Sequence, residues 1–177
     1  MIELMKARYS SRKYDHKKID KASLDYILKC MLMSPSGKNK NPWEFIVIED
    51  VAIIKELALS KTGGAMFLKD TQHLIVVVGH EEASDTWIED ASITLTVGHL
   101  AASHLKLGSC WIQSRNRHNE DMSSEVFVKN LLQIPDKLRV LGMLSIGHPL
   151  DEKIKDKPLQ TEKIFLNTYE KPYDLKV

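Results

Sequence analysis

Two long apolar runs constrain the fold of this chain more than any other feature. Residues 74–78 read LIVVV, and residues 140–146 are nearly as apolar. Short apolar runs rich in β-branched residues are typical of strands that are buried on both faces of a sheet. Similar but shorter runs at 45–48 and 110–113 predict two more strands. A sheet of such strands needs helices above and below it.

Helical patterns alternate with these strands. Asp20 and Asp50 each precede apolar residues at helical spacing, and each is therefore predicted to be a helix N-cap. The predicted helices are 2–6, a helix after Asp20 that Pro35 stops, a helix after Asp50 that ends before Gly63-Gly64, 85–108 and 123–132. The alternation predicts one domain, residues 1–177, folded as a three-layer α/β or α+β sandwich. The tail beyond Asp151 is expected to lie extended over a surface, which a partner subunit could provide.

Composition narrows the class of protein. The chain has 177 residues, of which 43% are hydrophobic and 28% charged, as in globular domains. Its net charge of +1 gives no overall attraction to nucleic acid or membranes. The apolar-rich stretch 87–107 contains Glu89 and Asp90, so a membrane span is not expected. No signal peptide is evident, and Cys30 and Cys110 are expected to be reduced thiols in a cytoplasmic protein.

Two basic segments are candidates for binding an anion. Arg8, Ser10 and Arg12 place two guanidiniums and a hydroxyl in one short stretch, which suits a phosphate group. The alternative is a solvated basic terminus, and a nucleic-acid surface is disfavoured because no aromatic platform accompanies the basic run. The lysines that alternate in the tail, Lys153, Lys155 and Lys157, supply positive charge to a phosphate or simply keep an arm soluble.

Two polar loops are candidates for binding a flat polar ligand. Residues 34–45 read SPSGKNKNPWEF, in which Ser, Asn and Gly side chains and backbone suit the edge of such a ligand, while Trp43 is expected to be a core or interface anchor. An ordinary turn explains the same stretch. Residues 113–117 follow a predicted strand, where active-site loops often lie, although a basic surface loop is the alternative.

Several familiar signatures are missing from the sequence. It contains neither G-x-G-x-x-G nor a P-loop, so neither type of nucleotide site is predicted. No second histidine follows His80-Glu81-Glu82 at zincin spacing, and the five-residue separation of His99 and His104 is poor geometry for one metal ion. No metal site and no Ser-His-Asp triad are predicted, and each of these two histidines is interpreted as a packed or surface residue.

Five motifs occur in the order and spacing of one enzyme family. They are R-Y-S-S-R at 8–12, P-S-G-K-N-K-N-P-W at 35–43, W-I-E-D-A-S at 87–92, L-G-S-C-W-I-Q at 107–113 and I-G-H-P at 146–149. The chain thereby resembles the flavin-dependent nitroreductase family over nearly its whole length. That family has R-x-S-x-R near its start and P-S-x-x-N-x-Q-P-W after its first long helix. Each motif is weak alone, but the ordered set is specific.

The resemblance implies a fold, a cofactor and an activity. The implied fold is an α+β three-layer α/β/α sandwich, with a mixed, mostly antiparallel sheet and a C-terminal arm that extends to the partner subunit. FMN is expected at a homodimer interface, reduced by NADPH or NADH and reoxidised by a nitroaromatic, quinone or similar conjugated acceptor in a ping-pong cycle. The chemistry belongs to the flavin, so no side chain is assigned as a catalytic acid or base.

The resemblance also implies which residues bind FMN. The N-terminal motif would bind the phosphate, ribityl chain or pyrimidine edge, and the 35–43 loop would approach the ring from the other subunit. Gln113 and Ser114 match the point where the family directs backbone amides at the flavin N5 and O4. The implied residues are Arg8, Tyr9, Ser10, Arg12, Pro35, Ser36, Gly37, Asn39, Gln113, Ser114, Lys155 and Lys157, with Lys153 as a substitute for one of the lysines.

Two departures from the family pattern concern the substrate side. Asn41 stands where the family has Gln, and Arg115 and Arg117 crowd a loop that is Gly-rich in relatives. All three residues are candidates for contact with the substrate. The two arginines would serve an anionic substrate or a nicotinamide phosphate, or they would narrow the pocket. Two alternative functions remain open: other flavin chemistry on the same fold, such as reductive dehalogenation or flavin breakdown, and flavin binding without turnover.

Overall fold

Four strands and five α-helices make up the regular structure of the computed structural model, which describes residues 1–150 and 157–176. The strands are β1 (Trp43–Ile48), β2 (His73–Gly79), β3 (Gly108–Gln113) and β4 (Arg139–Gly147). The helices are α1 (Ile2–Ala7), α2 (Lys21–Leu32), α3 (Val51–Leu57), α4 (Trp87–His104) and α5 (Ser124–Leu132). All four predicted strands are present, each extended by one or more residues.

The N-caps predicted at Asp20 and Asp50 are confirmed, as is the helix start predicted at Ser123. The carboxylates of Asp20 and Asp50 accept hydrogen bonds from backbone amides in the first turns of α2 and α3, and the Ser123 hydroxyl does the same for α5. The long helix is shorter than predicted at both ends. It begins after Thr86, and it ends at His104 because Lys106 adopts a left-handed conformation with φ 59°. Gly108 therefore begins β3 instead of ending α4.

The sheet has the strand order β1-β2-β4-β3, and all three pairings are antiparallel. Among the described residues, the mixed character expected of the sheet is limited to one isolated parallel bridge, between Ser10 and Ser109. All of β2 is buried, and its alternate residues face two separate apolar cores. Ile75 and Val77 pack with α2 and α4, while Val76 and Val78 pack with α3 and α5. The α+β three-layer sandwich is thus confirmed.

Residues 10–15 are attached to the sheet at the edge strand β3 and the end of β4. The Ser11 amide donates to the Ser109 carbonyl at 2.9 Å, and the Asp15 amide to the His148 carbonyl at 3.0 Å. Tyr14 is 2% exposed; its hydroxyl donates to the Ser11 carbonyl at 2.7 Å and lies 2.9 Å from the Ser145 hydroxyl. Burial raises the pKa of Tyr14. The basic segment therefore has a fixed position beside β3.

The C-terminal arm, residues 157–176, lies almost entirely exposed. It reverses direction, since the Tyr173 amide donates to the Ile164 carbonyl at 2.9 Å, and the rings of Phe165 and Tyr169 lie 4.8 Å apart. The arm is therefore not extended throughout. Its apolar side chains are only partly covered: Leu159, Ile164, Phe165, Leu166, Tyr169, Tyr173 and Leu175. Lys153 and Lys155 lie outside the described residues.

Replacing Tyr14 by Phe should lower the free energy of unfolding by about 1–2 kcal/mol. The substitution removes a buried hydroxyl that makes two hydrogen bonds, and it leaves the Ser11 carbonyl without its donor. Urea denaturation of Tyr14→Phe measures the change. Tyr26→Phe is the matched control, since its phenol is 41% exposed and we expect a change within about 0.5 kcal/mol. Equal stability of the two variants would contradict the anchoring role of Tyr14.

Candidate functional site

A cluster of basic side chains surrounds Cys110 on the edge strand β3. Burial raises the pKa of the Cys110 thiol, while the nearby charges of Arg12, Lys61 and Arg8 act to lower it. Arg117 lies close enough to Lys61 to lower the pKa of that lysine, although burial is the larger cause. We call Arg8, Arg12, Lys61, Arg117 and Lys157 the basic cluster.

Arg8 lies at one end of the basic cluster, at the start of β3. Its Nη1 lies 2.8 Å from Nε2 of His99, and Nδ1 of His99 is hydrogen-bonded to the Ser109 hydroxyl. The Lys157 ammonium donates to the backbone carbonyls of Arg8 and Met5. Partial desolvation and the adjacent Arg8 charge lower the pKa of Lys157. Two cations are thus held side by side.

Arg12 and Lys61 lie further along the cluster. The Arg12 guanidinium lies 6.0 Å from the centre of the Phe67 ring, within cation–π distance. The Thr62 amide donates to the His118 carbonyl at 3.0 Å, which connects the Lys61 loop to the loop after β3. Lys61 also lines a cleft of about 360 Å³ whose rim carries Glu120 and Asp121. This end of the cluster therefore adjoins open space.

Within the described part of the chain, no member of the basic cluster forms an ion pair with a carboxylate. Like charges held together without a counter-ion repel one another, so such a cluster favours an anionic ligand. The cluster follows β3, whose six residues span about 17 Å. Its chemistry therefore fits an extended molecule with a strong negative charge at one end.

The other predicted residues of the N-terminal motif lie at the same place. Ser10 is exposed and pairs with Ser109, and Tyr9 is half-buried next to it. Gln113 and Ser114 lie at the far end of β3. The Gln113 side chain is held by Trp111 Nε1 at 2.9 Å, and the Ser114 amide donates to the Leu141 carbonyl at 3.1 Å. Ser114 is fully buried, so any contact it makes with a ligand depends on a shift of this turn.

The two loop arginines differ in their surroundings. Arg117 is exposed and belongs to the basic cluster, whereas the Arg115 side chain is half-buried and its amide donates to the Leu141 carbonyl at 3.0 Å. Asn116 between them has φ 57°, so the chain turns sharply here. Arg117 thus faces the same region as Lys61, and contact of either arginine with a substrate stays a prediction.

The 34–41 loop is ordered by its own side chains. The Ser36 hydroxyl donates to Asn41 Oδ1 and accepts from the Asn41 amide, both at 2.9 Å. Asn39 and Asn41 have φ of 54° and 48°, which asparagine tolerates better than most residues, and Lys38 has φ 52°. Such concentrated strain in a surface loop is typical of functional sites. Pro35 is exposed at its start.

Gly37 joins this loop to the first turn of α4. Its amide donates to Asp90 Oδ1 at 2.8 Å, and a Cβ atom at this position would lie 2.6 Å from Thr86 Oγ1. Close packing against Thr86 therefore accounts for the glycine within one chain. Trp43, 6% exposed, is buried as predicted.

The 34–41 loop and the Arg8 end of the basic cluster contact α4 at separate points along its length. Gly37 contacts Asp90 in the first turn, whereas Arg8 contacts His99, nine residues and about 13 Å further along the helix axis. One chain therefore brings together the N-terminal motif, Lys157, Arg117 and β3, but its 34–41 loop contacts α4 well away from Arg8.

Sequence reasoning missed His99, Lys61 and Phe67 as members of this region. One feature of the sequence does indicate that His99 has a polar partner. His99 lies in the apolar stretch 97–102, and burying an imidazole without a hydrogen-bond partner is costly. Lys61 and Phe67 carry no such signal, because only tertiary contacts such as Arg12–Phe67 and Thr62–His118 bring their segment next to β3. No three histidine, cysteine or acidic side chains among the described residues could hold a metal ion, and none of the described helices could span a membrane.

The pH dependence of stability should report the buried state of His99, which is 7% exposed. Burial, followed by the charges of Arg8 and Lys157, lowers the pKa of His99 from 6.5 to about 4. Between these values the unfolded chain binds a proton that the folded chain does not. Stability is therefore fully present above pH 6.5 and is lost as the pH falls towards 4, by about 3 kcal/mol in all.

Urea denaturation of wild type and His99→Gln from pH 7 to pH 4 isolates this contribution, because other titrating groups are shared. As the pH falls, the free energy of unfolding of the wild type should decrease more than that of His99→Gln. A difference independent of pH would show that His99 titrates normally.

Comparison with known proteins places this arrangement among known folds. The model of the nitroreductase family matches residues 5–97 and 55–148. A protein of Archaeoglobus fulgidus, provisionally named NADH dehydrogenase/NAD(P)H nitroreductase, is 33% identical over 86% of this chain and 87% of its own. An iodotyrosine deiodinase of Thermotoga neapolitana is 26% identical over 88% of this chain and 91% of its own.

A solved structure gives the same result at the level of the fold. The FMN-dependent nitroreductase of Clostridium difficile R20291 superposes with a TM-score of 0.92 and is 39% identical, covering 96% of this chain and all of that one. The family match spans most of the chain, and the relatives align over nearly their full length. This chain is a member of the nitroreductase family.

Proposed function

We propose that this chain binds FMN and transfers a hydride from NADH or NADPH, through the flavin, to a nitroaromatic, quinone or similar conjugated acceptor. The observation that carries the proposal is the basic cluster along β3, which has no carboxylate partner among the described residues. An FMN phosphate supplies the missing counter-charge. The relative from Clostridium difficile, FMN-dependent by name, supports the choice of anion.

The phosphate of FMN would lie at the Arg8 end of the cluster. Arg8 offers a planar fork of donors, Lys157 a compact point charge, and Ser10 an exposed hydroxyl. Desolvation and then the Arg8 charge lower the pKa of Lys157, and a bound dianion would relieve the repulsion between these two cations. The Ser11 amide is already used by Ser109, so the side chains and not this amide would bind the phosphate.

The ring of FMN would lie towards Arg12 and the far end of β3. Arg12, with Phe67 beside it, places positive charge where the pyrimidine edge is expected. Gln113 would provide a polar contact next to the ring. Bound FMN would supply the hydride chemistry, and the side chains of this chain would orient it and stabilise the negative charge of its reduced form. No side chain of the chain is proposed as an acid or base.

We propose that a second subunit completes the site in a homodimer. The 34–41 loop lies about 13 Å along α4 from the Arg8 end, so the loop of one chain would cover the flavin of the other. The apolar side chains of the C-terminal arm are exposed, as are Ile2, Leu32 and Met33. Apolar surface of this extent is typical of subunit interfaces. Pro35, Ser36, Gly37 and Asn39 would then be the partner's contribution.

A second candidate function is reductive dehalogenation on the same site. The iodotyrosine deiodinase of Thermotoga neapolitana aligns with most of this chain, and this alignment favours it as the alternative. The segment before α4, residues 80–86, is too short for a long lid over the flavin, which disfavours this alternative. Arg115, Arg117 and Asn41 are proposed to face the acceptor in either case.

Removing either guanidinium should weaken FMN binding. We expect the dissociation constant for FMN to rise about tenfold or more in Arg8→Ala and in Arg12→Ala, because each loses a charge-assisted contact. Lys6→Ala is the matched control, since its ammonium pairs with Glu3 at 3.0 Å and lies outside the cluster; its affinity should stay within about twofold. Quenching of flavin fluorescence measures all three. Unchanged affinity in both arginine variants would contradict the site assignment.

Reduction and reoxidation of the bound flavin test the activity itself. The purified protein, loaded with FMN and made anaerobic, should lose its visible absorbance on addition of NADH or NADPH and regain it with a quinone or nitroaromatic. Recovery with a halogenated phenol but not with a quinone would favour the dehalogenation candidate. Flavin that neither nicotinamide reduces would overturn both and indicate a flavin-binding protein without turnover.

A further inference from the structure

We propose that His99 is a positioning residue, which holds the Arg8 guanidinium in place for the phosphate of the flavin. The proposal rests on the proposed function, because it takes Arg8 to be a phosphate ligand. His99 has no part in the family motifs that the sequence contains, and it lies in the middle of the C-terminal half of α4. It therefore acts through Arg8 and not on the flavin directly.

The chemistry of the two partners fixes the tautomer of His99. A guanidinium has donors only, so Nε2 of His99, 2.8 Å from Arg8 Nη1, must be the acceptor. A neutral imidazole then carries its proton on Nδ1, which donates to the Ser109 hydroxyl. Both ring nitrogens are thus satisfied only when the ring is neutral and in this tautomer.

A neutral acceptor has a specific consequence for Arg8. Arginine in a protein is commonly held by a carboxylate, which would cancel its charge before a ligand arrives. Here the groups that face His99 are Arg8, Lys157 and Ser109, and none of the described carboxylates forms an ion pair with Arg8 or Lys157. His99 therefore orients the guanidinium and leaves its full positive charge for the phosphate.

Ser109 connects this contact to the backbone of the phosphate-binding segment. Its hydroxyl accepts a hydrogen bond from His99 Nδ1–H, and its carbonyl accepts one from the Ser11 amide at 2.9 Å. Ser109 is 2% exposed, so neither contact competes with water. One residue of β3 thus sets the position of the main chain at Ser10–Ser11 and, through His99, of the Arg8 side chain.

The test compares FMN with riboflavin, which has the same ring and ribityl chain but no phosphate. In His99→Leu, which has no acceptor for Arg8, FMN affinity should fall about tenfold while riboflavin affinity stays within about twofold. His99→Gln keeps an acceptor oxygen and a donor in one side chain, and should retain FMN affinity within about threefold of wild type. Circular dichroism at the same temperature shows that each variant is folded.

A second variant keeps the test decisive if His99→Leu does not fold. Ser109→Ala removes the acceptor that fixes the tautomer, and FMN affinity should fall severalfold with riboflavin affinity unchanged. Equal losses for FMN and riboflavin in these variants, or no loss for either, would overturn the inference.

The same measurements separate failure of the inference from failure of the proposed function. A wild-type protein that binds neither flavin overturns both. A wild type that prefers FMN, loses that preference in Arg8→Ala and keeps it in His99→Leu overturns the role of His99 alone.

Discussion

Burial of β2 on both faces is the constraint on which the rest of the structure depends. All seven of its residues are buried between two apolar cores, one formed with α2 and α4 and the other with α3 and α5. Close packing on both sides leaves no room for a ligand inside the sandwich. Binding chemistry is therefore displaced to the edge of the sheet, where β3 pairs with β4 alone among the described strands. The basic cluster lies at this edge.

Electrostatics at the edge strand follow from how its charges are partnered. Elsewhere Arg139 is paired with Glu81 and Glu125, and Lys21 with Asp25. The basic cluster instead has neutral partners: backbone carbonyls, the Phe67 ring and His99. Neutral partners hold the basic side chains in position without cancelling their charge. The cations therefore repel one another until an anion binds. The proposed flavin phosphate and the proposed role of His99 are two consequences of this one arrangement.

Much of the fold was predictable because its signals are local. The caps at Asp20, Asp50 and Ser123 are properties of three or four consecutive residues, and the apolar runs of β2 and β4 identify buried strands without reference to any partner. The family motifs likewise lie in continuous stretches. The end of α4 was misplaced because the left-handed Lys106 gives no clear signal of its own, whereas Gly108 is a common helix terminator.

The sequence by itself determined the layered fold, the family and the N-terminal basic motif, because each depends on spacing along the chain. Only the tertiary structure decided that Lys61, Phe67 and His99 join that motif, since residues 50 to 90 positions apart meet through antiparallel pairing and helix packing. It also decided that the 34–41 loop lies away from the Arg8 end of the basic cluster of its own chain. The physical reason is the length of α4, which separates the two by more than a side chain can reach.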